Sequence, residues 1–365
     1  MKPIKKVLFV LHIPPPVHGA SVMGKYIHDS ELVNNSFDAR FVNLSASSDL
    51  KEIGRLSFKK FWNMLLQLFT VLKLIRSFQP AVCYLTPSSS GIAFYRDYLL
   101  VKSIKLTGVK VLLHFHNKAQ RDWLDKKYNQ HLLKSFFKDV KIILLGKELY
   151  AEKVPFINKK DVYFLPNGVP AKESKASIVK TNSITHFLFL SNMIEEKGVY
   201  ILLQACQIIK EQNLSFKCDF VGQYKDVSEK DFKTKVRSYG LEQEVSSHGP
   251  KYGDQKVVFF QNSDVFIFPT FYQQECLPLV LLEAMAYGLP CISTDNGAIP
   301  SVITEGETGF CLPQKEVQGL ADRMKWMIEN PDKRRKMGDA GKKRFDQNFT
   351  IDKFEKRLVE IIEKF

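Results

Sequence analysis

Two glutamates eight positions apart, Glu275 and Glu283, are the first residues of this sequence whose type and spacing suggest chemistry. Paired carboxylates of glycosidases lie ~5 to 9.5 Å apart. On one helix, a rise of about 1.5 Å per residue would separate these two backbones by roughly 12 Å, which argues against a hydrolytic pair. Separate carboxylates accept hydrogen bonds from neighbouring hydroxyls, so a sugar or a ribose is the predicted ligand. The alternative is a satisfied buried Glu283 and a surface Glu275.

The residues around the two glutamates predict a strand, a turn and a short helix. Residues 264–270 form an apolar run typical of a buried strand, which places Glu275 in the turn that follows it. Pro278 suits the first turn of a helix, and Gly288 suits the left-handed position just past the end of that helix. The N-terminus of this helix carries a partial positive charge, so a phosphate would bind there favourably.

Three other residues are candidates for contacts with the same kind of ligand. Lys197 follows a predicted strand at residues 186–190 and precedes a helix, where its ammonium and the helix N–H groups would hold a diphosphate. His116 ends a strand-like run, and its ring could donate to a phosphate or a sugar hydroxyl. Gly19 lies between an apolar run and a helical segment that starts near Val22, and it lacks a Cβ that would keep a phosphate away. Each has an alternative as an ordinary solvated or structural residue.

The whole chain is organised as two halves of the same kind. Each half opens with a strand, a loop and a helix, and the polar residues 170–183 between them predict an interdomain linker. Gly338 and Gly341 predict weak points in the last helical stretch. The chain lacks both a G-x-G-x-x-G motif and a G-x-x-x-x-G-K-[ST] loop, which argues against a dinucleotide oxidoreductase and a P-loop NTPase. The six cysteines lie mostly in apolar runs without metal-ligand spacing, so we expect reduced, packed thiols.

The charge of the chain is concentrated in its first half. Residues 1–170 contain 26 Lys and Arg against 12 Asp and Glu, which accounts for the whole net charge of +14. This excess predicts an anionic neighbour, such as phosphate-rich lipid, a membrane surface or nucleic acid, or else a solubilising lysine-rich surface. Residues 56–78 predict a helix with a wide apolar face, which would either lie on an anionic membrane or pack inside an α/β layer. We find no bilayer-spanning run and no cleavable signal layout, so we expect a cytoplasmic protein.

Together these motifs resemble one known family, the retaining GT-B glycosyltransferases of glycosyltransferase family 4. The resemblance rests on the following motifs: Asn167-Gly168-Val169, Lys197-Gly198, Gly222, His248-Gly249-Pro250, Asp264-x4-Pro269, Glu275-x7-Glu283, Gly288-x-Pro290 and Thr308-Gly309-Phe310. It implies an α/β protein of two Rossmann-like domains with parallel sheets facing a cleft. Residues 1–170 would bind the acceptor, residues 184–345 would bind a nucleotide sugar, and residues 346–365 would form a helix that crosses back to the first domain.

The resemblance also assigns roles to single residues. Glu275, His116 and Lys197 become the catalytic candidates: Glu275 would hold hydroxyls of the transferred sugar, His116 would lie near the reacting sugar, and Lys197 would grip the diphosphate. Glu283 would bind the ribose, and Gly19 would let the backbone approach the phosphate. The candidate donor-binding set is Glu283, Gly19, Lys197, Asn192, Gly249, Leu279 and Val280. Many family members carry an arginine where Asn192 stands, so this chain has one cation fewer, and Ala20 replaces a second glycine.

The implied activity is that of a retaining, hexosyltransferase-like enzyme of cell-surface polysaccharide biosynthesis, such as lipopolysaccharide or capsule. It would move a sugar from a nucleotide-diphosphate sugar to a saccharide or lipid-linked saccharide, with no cofactor, metal or nucleic acid expected. It would work in the cytoplasm, in contact with the inner face of the plasma membrane if the apolar helix binds lipid. Two alternatives remain: a sugar-nucleotide epimerase of the same architecture, and a catalytically silent nucleotide-sugar-binding partner, to which Asn192 points.

Overall fold

The computed structural model describes residues 4–45, 58–151, 153–171 and 184–365, except that the side chains of residues 58–61 and 121 are left out of account. The chain divides into two compact units. One consists of Met1–Gly168 with Ile351–Phe365, and the other of Val169–Thr350. The second boundary lies after Thr350, where the sequence placed it after residue 345. Most of the predicted linker, from residue 172 to 183, lies outside the described residues.

The first unit is a parallel sheet with helices on its faces. Its strands are β1 (Lys6–Leu11), β2 (Asp38–Asn43), β3 (Val82–Leu85), β4 (Lys110–His114), β5 (Lys141–Leu144) and β6 (Val162–Phe164). Its helices are α1 (Gly19–Asp29), α2 (Glu31–Ser36), α3 (Phe58–Phe78), α4 (Gly91–Leu106), α5 (Arg121–Leu124), α6 (Lys127–Phe137) and, at the end of the chain, α14 (Ile351–Lys364). In the order β2-β1-β3-β4-β5-β6, the switch point lies between β1 and β3, where the direction in which successive strands are added reverses.

The second unit repeats the same architecture. Its strands are β7 (Thr185–Leu190), β8 (Phe216–Val221), β9 (Val245–Ser247), β10 (Val265–Phe268), β11 (Cys291–Thr294) and β12 (Gly309–Leu312). Its helices are α7 (Val199–Glu211), α8 (Glu229–Ser238), α9 (Val257–Asn262), α10 (Leu279–Ala286), α11 (Ile299–Val302), α12 (Val317–Glu329) and α13 (Pro331–Asn348). The order β12-β11-β10-β7-β8-β9 is again parallel, and its switch point lies between β10 and β7.

The sequence patterns explain why these segments pair as they do. The central strands are continuous apolar runs, as in β10, where all four residues are buried, because helices cover both faces of a parallel sheet. The short helix α10 between Pro278 and Gly288 is confirmed, and Gly288 has the expected left-handed φ of 74°. Helix α14 buries Phe354, Leu358 and Ile362, whose spacing places them on one face.

Two local predictions were wrong, each for a physical reason. Helix α1 begins at Gly19 rather than near Val22, because His18 and Ser21 form a reciprocal capping box: Ser21 N–H donates to His18 Nδ1 at 3.3 Å, and His18 N–H donates to Ser21 Oγ at 3.0 Å. Helix α13 runs through Gly338 without a break. A Cβ on Gly338 would lie 2.1 Å from the carbonyl oxygen of Gly288, so this glycine permits close packing of α13 on α10.

No helix within the described ranges is both long and apolar enough to span a bilayer.

The glycines of α1 allow a test of close packing. A Cβ on Gly24 would lie 2.0 Å from the carbonyl oxygen of His12 at the end of β1, whereas a Cβ on Gly19 meets nothing within 4 Å. We therefore expect Gly24→Ala to lower the free energy of unfolding by about 2 kcal/mol or more, because α1 must move away from the sheet. Gly19→Ala, the matched control, should be neutral or stabilising by up to about 1 kcal/mol, because alanine favours helix. Urea denaturation of both variants measures this, and equal losses would contradict the packing argument.

Candidate functional site

The two strongest candidates of the second unit follow the two strands that flank its switch point. Lys197 lies in a short 3-10 turn after β7, and Glu275 lies in the turn after β10. Strands β7 and β10 are hydrogen-bonded neighbours, with Phe187 opposite Val265. In open parallel sheets the crevice for a ligand forms at this point, outside the carboxyl ends of the strands. The topology therefore brings together two residues that are 78 positions apart in the chain.

Lys197 and Glu275 form a short ion pair in a confined environment. The Lys197 ammonium donates to Glu275 Oε2, and both side chains are largely removed from solvent. The ammonium also lies 4.4 Å from the ring centroid of Tyr272, which is a cation–π contact. Burial, followed by the negative charge of Glu275, raises the pKa of the Tyr272 hydroxyl. The pair places a cation and a hydrogen-bond acceptor side by side at the switch point.

Two glycines let neighbouring backbone approach this pair. Gly198 has φ 91°, and a Cβ there would lie 2.3 Å from the carbonyl oxygen of Pro269 at the end of β10. Gly297 has φ 59°, and its Cβ would lie 2.6 Å from the carbonyl oxygen of Glu275. A side chain at either position would push the Lys197 turn or the Glu275 turn out of place. Sequence reasoning missed Gly297, which lies beyond the quoted motifs.

Glu283 is held separately from Glu275. It projects from α10, and its Oε1 accepts a hydrogen bond of 2.5 Å from the ammonium of Lys256. A carboxylate has about four acceptor positions, so Glu283 can keep Lys256 and still bind two hydroxyls. Lys256 was not predicted, because a single lysine in a polar segment carries no signal of its own in the sequence. Each of the two candidate glutamates, Glu275 and Glu283, is therefore paired with a lysine.

The other donor-binding candidates of the second unit lie around the same edge of the sheet. Leu279 and Val280 form the half-exposed first turn of α10, whose Pro278 cap offers no side-chain acceptor, so its N–H groups remain available to an anion. Asn192 is exposed after β7. Gly249 follows β9 with φ 63° and has open space around its Cβ position.

The candidates of the first unit, Gly19 and His116, lie at the carboxyl edge of its own sheet. His116 follows β4, and its ring contacts that of His114 in a tilted arrangement with centroids 4.2 Å apart, while His114 Nδ1 lies 2.5 Å from the hydroxyl of Tyr84. The ring nitrogens of His116 are buried. Burial lowers the pKa of His116 to about 3, an effect partly offset by the neighbouring Asn167 side chain. The ring is therefore neutral at neutral pH.

Sequence reasoning missed a second histidine pair at this edge. His12 directly follows β1, and its ring centroid lies 5.9 Å from that of His18, the cap of α1. Burial, assisted by the positive charge of Arg96, lowers the pKa of His12 to about 4. Arg96 pairs with the fully buried Asp97 at 2.7 Å, and Asp97 accepts the Ser88 N–H at 2.8 Å. His12 follows an apolar strand directly, which is the signal that would have marked it.

The structure thus brings Lys197 and Glu275 into contact, places Glu283 on Lys256, and assigns Gly19 and His116 to the other unit. Across the described ranges, no three His, Cys, Asp or Glu side chains converge in a way that would hold a metal ion. Donor binding without a metal stays a prediction.

The buried histidines predict a pH dependence of stability. Unfolded histidine has a pKa near 6.5, so below that pH the unfolded chain binds protons that folded His12 and His116 do not. The free energy of unfolding therefore decreases as the pH is lowered. Each contributes up to about 1.4 kcal/mol per pH unit until its folded pKa is reached. Removing one titrating ring by His116→Gln should make the loss between pH 7 and pH 5 smaller by about 2 kcal/mol. Urea denaturation across this range measures it. His131→Gln, on the exposed face of α6, is the control, and identical pH profiles for both variants would contradict the assignment.

Comparison with known proteins gives matches of two kinds. Residues 170–344 match the family model described as glycosyl transferases group 1. The chain is 31% identical over 138 residues to the amylovoran biosynthesis glycosyltransferase AmsK of Erwinia amylovora. The matched region covers 37% of this chain and 33% of that protein. It is 28% identical over 168 residues to the capsular polysaccharide biosynthesis glycosyltransferase CapM of Staphylococcus aureus, covering 44% and 41%. The chain spans about a third of the length of the first curated relatives it matches.

Similarity to solved structures extends to nearly the whole chain. The crystal structure of Anabaena Alr3699/HepE in complex with UDP has a TM-score of 0.77 at 15% identity, covering 99% of this chain and 100% of that one. At this identity the likeness concerns the fold, which is the expected pair of parallel sheets with flanking helices. The fold is therefore GT-B, and residues 170–344 are similar to the glycosyl transferases group 1.

Proposed function

We propose that this chain is a retaining glycosyltransferase that moves a sugar from a nucleotide-diphosphate sugar to a saccharide or lipid-linked saccharide acceptor. The observation that carries the proposal is the buried Lys197–Glu275 pair at the switch point of the second unit. A nucleotide sugar presents a diphosphate next to a polyhydroxylated ring. A cation adjacent to a carboxylate, at the carboxyl edge of a parallel sheet, matches those two neighbouring groups.

The diphosphate would bind to Lys197 and to the helix N-termini beside it. Helices α7 and α10 both begin without a side-chain cap, so each offers N–H groups and a partial positive charge. As the bond between the sugar and the phosphate breaks, negative charge grows on the departing oxygen. Groups that are already fixed and positive stabilise that charge more than they stabilise the bound substrate, which accelerates transfer.

The two carboxylates would hold the donor on either side of its diphosphate. Glu275 accepts hydrogen bonds from hydroxyls of the transferred sugar, while the Lys197 ammonium is shared between Glu275 and the phosphate. Glu283 accepts from the ribose hydroxyls, and Lys256 keeps that carboxylate oriented. Because both carboxylates already have a lysine partner, they serve here as acceptors that position the donor.

Retention of the anomeric configuration follows from attack on the face from which the diphosphate leaves. The bond from the anomeric carbon to the diphosphate oxygen breaks, and a bond from that carbon to the acceptor oxygen forms. The acceptor proton passes to the departing phosphate oxygen, so no protein nucleophile is needed. His116, which is neutral at neutral pH, is proposed to contact the reacting sugar.

The acceptor is proposed to belong to surface polysaccharide assembly. Both AmsK and CapM are named as biosynthetic glycosyltransferases, and CapM is named for capsular polysaccharide. The excess of positive charge in residues 1–170 suits an acceptor that carries phosphate, such as a lipid-linked saccharide.

Removing the switch-point cation tests the proposed transfer. Lys197→Ala should lower the rate of acceptor-dependent release of nucleoside diphosphate by roughly 100- to 1,000-fold, the size of losing one preorganised charge-stabilising group. Lys325→Ala, at an exposed ion pair of α12, is the control and should keep full activity. NMR of the product should show the same anomeric configuration as the donor. Nucleotide release without an acceptor, or epimerised donor, would support the epimerase instead, and an unchanged rate in Lys197→Ala would remove the basis of the proposal.

The exposed Asn192 gives a second test, in which a cation is added. Asn192→Arg should tighten binding of a nucleoside diphosphate by about five- to tenfold, because one charge-assisted contact at an exposed site contributes about 1 kcal/mol. Thermal stabilisation by UDP, GDP and ADP measures this and also identifies the base. Gln243→Arg adds the same charge just before β9, at the opposite edge of the sheet, and should leave affinity unchanged. Equal gains in both variants would mean that net charge, rather than the site, binds the nucleotide.

A further inference from the structure

Helix α3 presents large apolar side chains to solvent. Phe69 is 69% exposed, Trp62 55% and Leu66 50%, although such residues are usually buried. The inward side of the same helix carries the buried Val71 and Ile75, together with Gln67, whose amide donates to the carbonyl oxygen of Asn43, at the end of β2, at 3.4 Å. The helix therefore has large apolar side chains on its outward side as well as its inward side, and the outward side needs another partner.

Helix α4 continues this apolar surface. Ile92, Leu99 and Leu106 recur at intervals of seven residues on one side of α4 and are 51%, 47% and 83% exposed. Helices α3 and α4 lie on the same face of the sheet, because both connect strands that advance in the same direction and such connections are right-handed. They are in contact, and a groove of about 960 Å³ lies between the second half of α3 and the segment that follows α4. We call these six residues, Trp62, Leu66, Phe69, Ile92, Leu99 and Leu106, the outer face of α3 and α4.

Exposed cations surround this outer face, whereas acidic side chains are scarce. Helices α3 and α6 contain no Asp or Glu at all, and the single acid of α4, Asp97, is fully buried. The surrounding cations are all exposed: Lys73 and Arg76 on α3, Lys102 on α4, and Lys127 and Lys134 on α6. Lys73 and Arg76 also line the groove beside Phe69, and neither forms an ion pair in the described part of the chain. The surface is therefore apolar with a positive border.

This combination of features decides between the two plausible occupants. A second copy of the chain, paired about a two-fold axis, would bring the same cations of both copies close together, which is repulsive. An anionic bilayer instead offers negative headgroups to the cations and acyl chains to the apolar side chains. Tryptophan at such a boundary is favourable, because its ring is largely apolar and its N–H remains near water.

We propose that the outer face of α3 and α4 binds the surface of an anionic lipid bilayer. The exposed apolar side chains insert at the level of the headgroups, and Lys73, Arg76 and the cations of α6 contact lipid phosphates. Binding is reversible and peripheral. It needs neither donor nor transfer, since it depends on the first unit alone.

Vesicle flotation of the full chain tests this proposal. Vesicles of phosphatidylcholine with 30% phosphatidylglycerol (~0.3 mole fraction, chosen to give a clearly negative surface) should bind the chain at low salt. Binding should fall when salt is raised to about 0.5 M, because the Debye length then shrinks to a few ångströms. The double variant Lys73→Glu/Arg76→Glu should partition about 30-fold or more weakly, since each basic residue near the surface contributes about 1 kcal/mol. Phe69→Ser should weaken binding about tenfold.

Matched controls separate the outer face from general stickiness. Lys333→Glu/Arg335→Glu removes two exposed cations of α13, and Val258→Ser removes an exposed apolar residue of α9; both should bind vesicles like the unaltered chain. The fluorescence of the chain should shift to the blue on vesicle binding, and Trp62→Phe should bind but lose that shift. Circular dichroism confirms that each variant is folded.

Three results would overturn the proposal. The first is absence of binding to anionic vesicles at low salt. The second is equal loss of binding in the control variants and the outer-face variants. The third is a dimer, seen by sedimentation without lipid, that Phe69→Ser dissociates, because the face would then be an interface between copies. None of these bears on nucleotide binding or transfer, which the second unit is proposed to support.

Discussion

The contact between Lys197 and Glu275 depends on the order of the strands more than on either residue. Strands β7 and β10 are neighbours at the switch point, so the turns that follow them start side by side. The side chains of Lys197 and Glu275, one in each turn, therefore come into contact. Burying an unpaired ammonium or carboxylate would destabilise the fold by several kcal/mol, so each of the two residues offsets the cost of burying the charge of the other. The local backbone then has little freedom, since Gly198 and Gly297 pack directly on it. The burial of the two side chains, their ion pair and the close approach of the two glycines therefore depend on one another.

The sequence was most informative where burial is complete on both faces of a strand. The apolar runs recognised in the sequence correspond to β1, β4, β7 and β10, which are central strands, whereas β2, β9 and β12 gave no such signal. All three are edge strands, and β2 and β9 retain only one buried residue each. An edge strand is held by hydrogen bonds to a single neighbour, which leave little trace in the residue types. Sheet order, and hence the position of the switch point, depends on such pairings and so required the structure.

The same distinction applies to the site. Glu275, Glu283 and Lys197 were identified by spacing and by comparison with a known motif, but which lysine accompanies which glutamate follows from tertiary contacts. Lys256 lies 27 positions before Glu283 and carries no pattern of its own. The orientation of α3 could not be predicted from the sequence either, because a helix with a wide apolar side can turn that side toward the sheet or toward solvent. The buried Val71 and Ile75 identify the side that faces the sheet, and the exposed Leu66 and Phe69 identify the side that faces solvent.

The division of the chain has a consequence for its synthesis. The first unit includes Ile351–Phe365, whose terminal turn accepts hydrogen bonds from Lys5 through the carbonyl oxygens of Ile362 and Glu363, both at 2.9 Å. All of Val169–Thr350 therefore leaves the ribosome before the first unit has its last helix. Domains generally fold in the order of their synthesis, but here the unit that starts first must finish second. During that interval the first unit lacks the apolar residues Phe354, Leu358 and Ile362, which α14 buries in the finished fold.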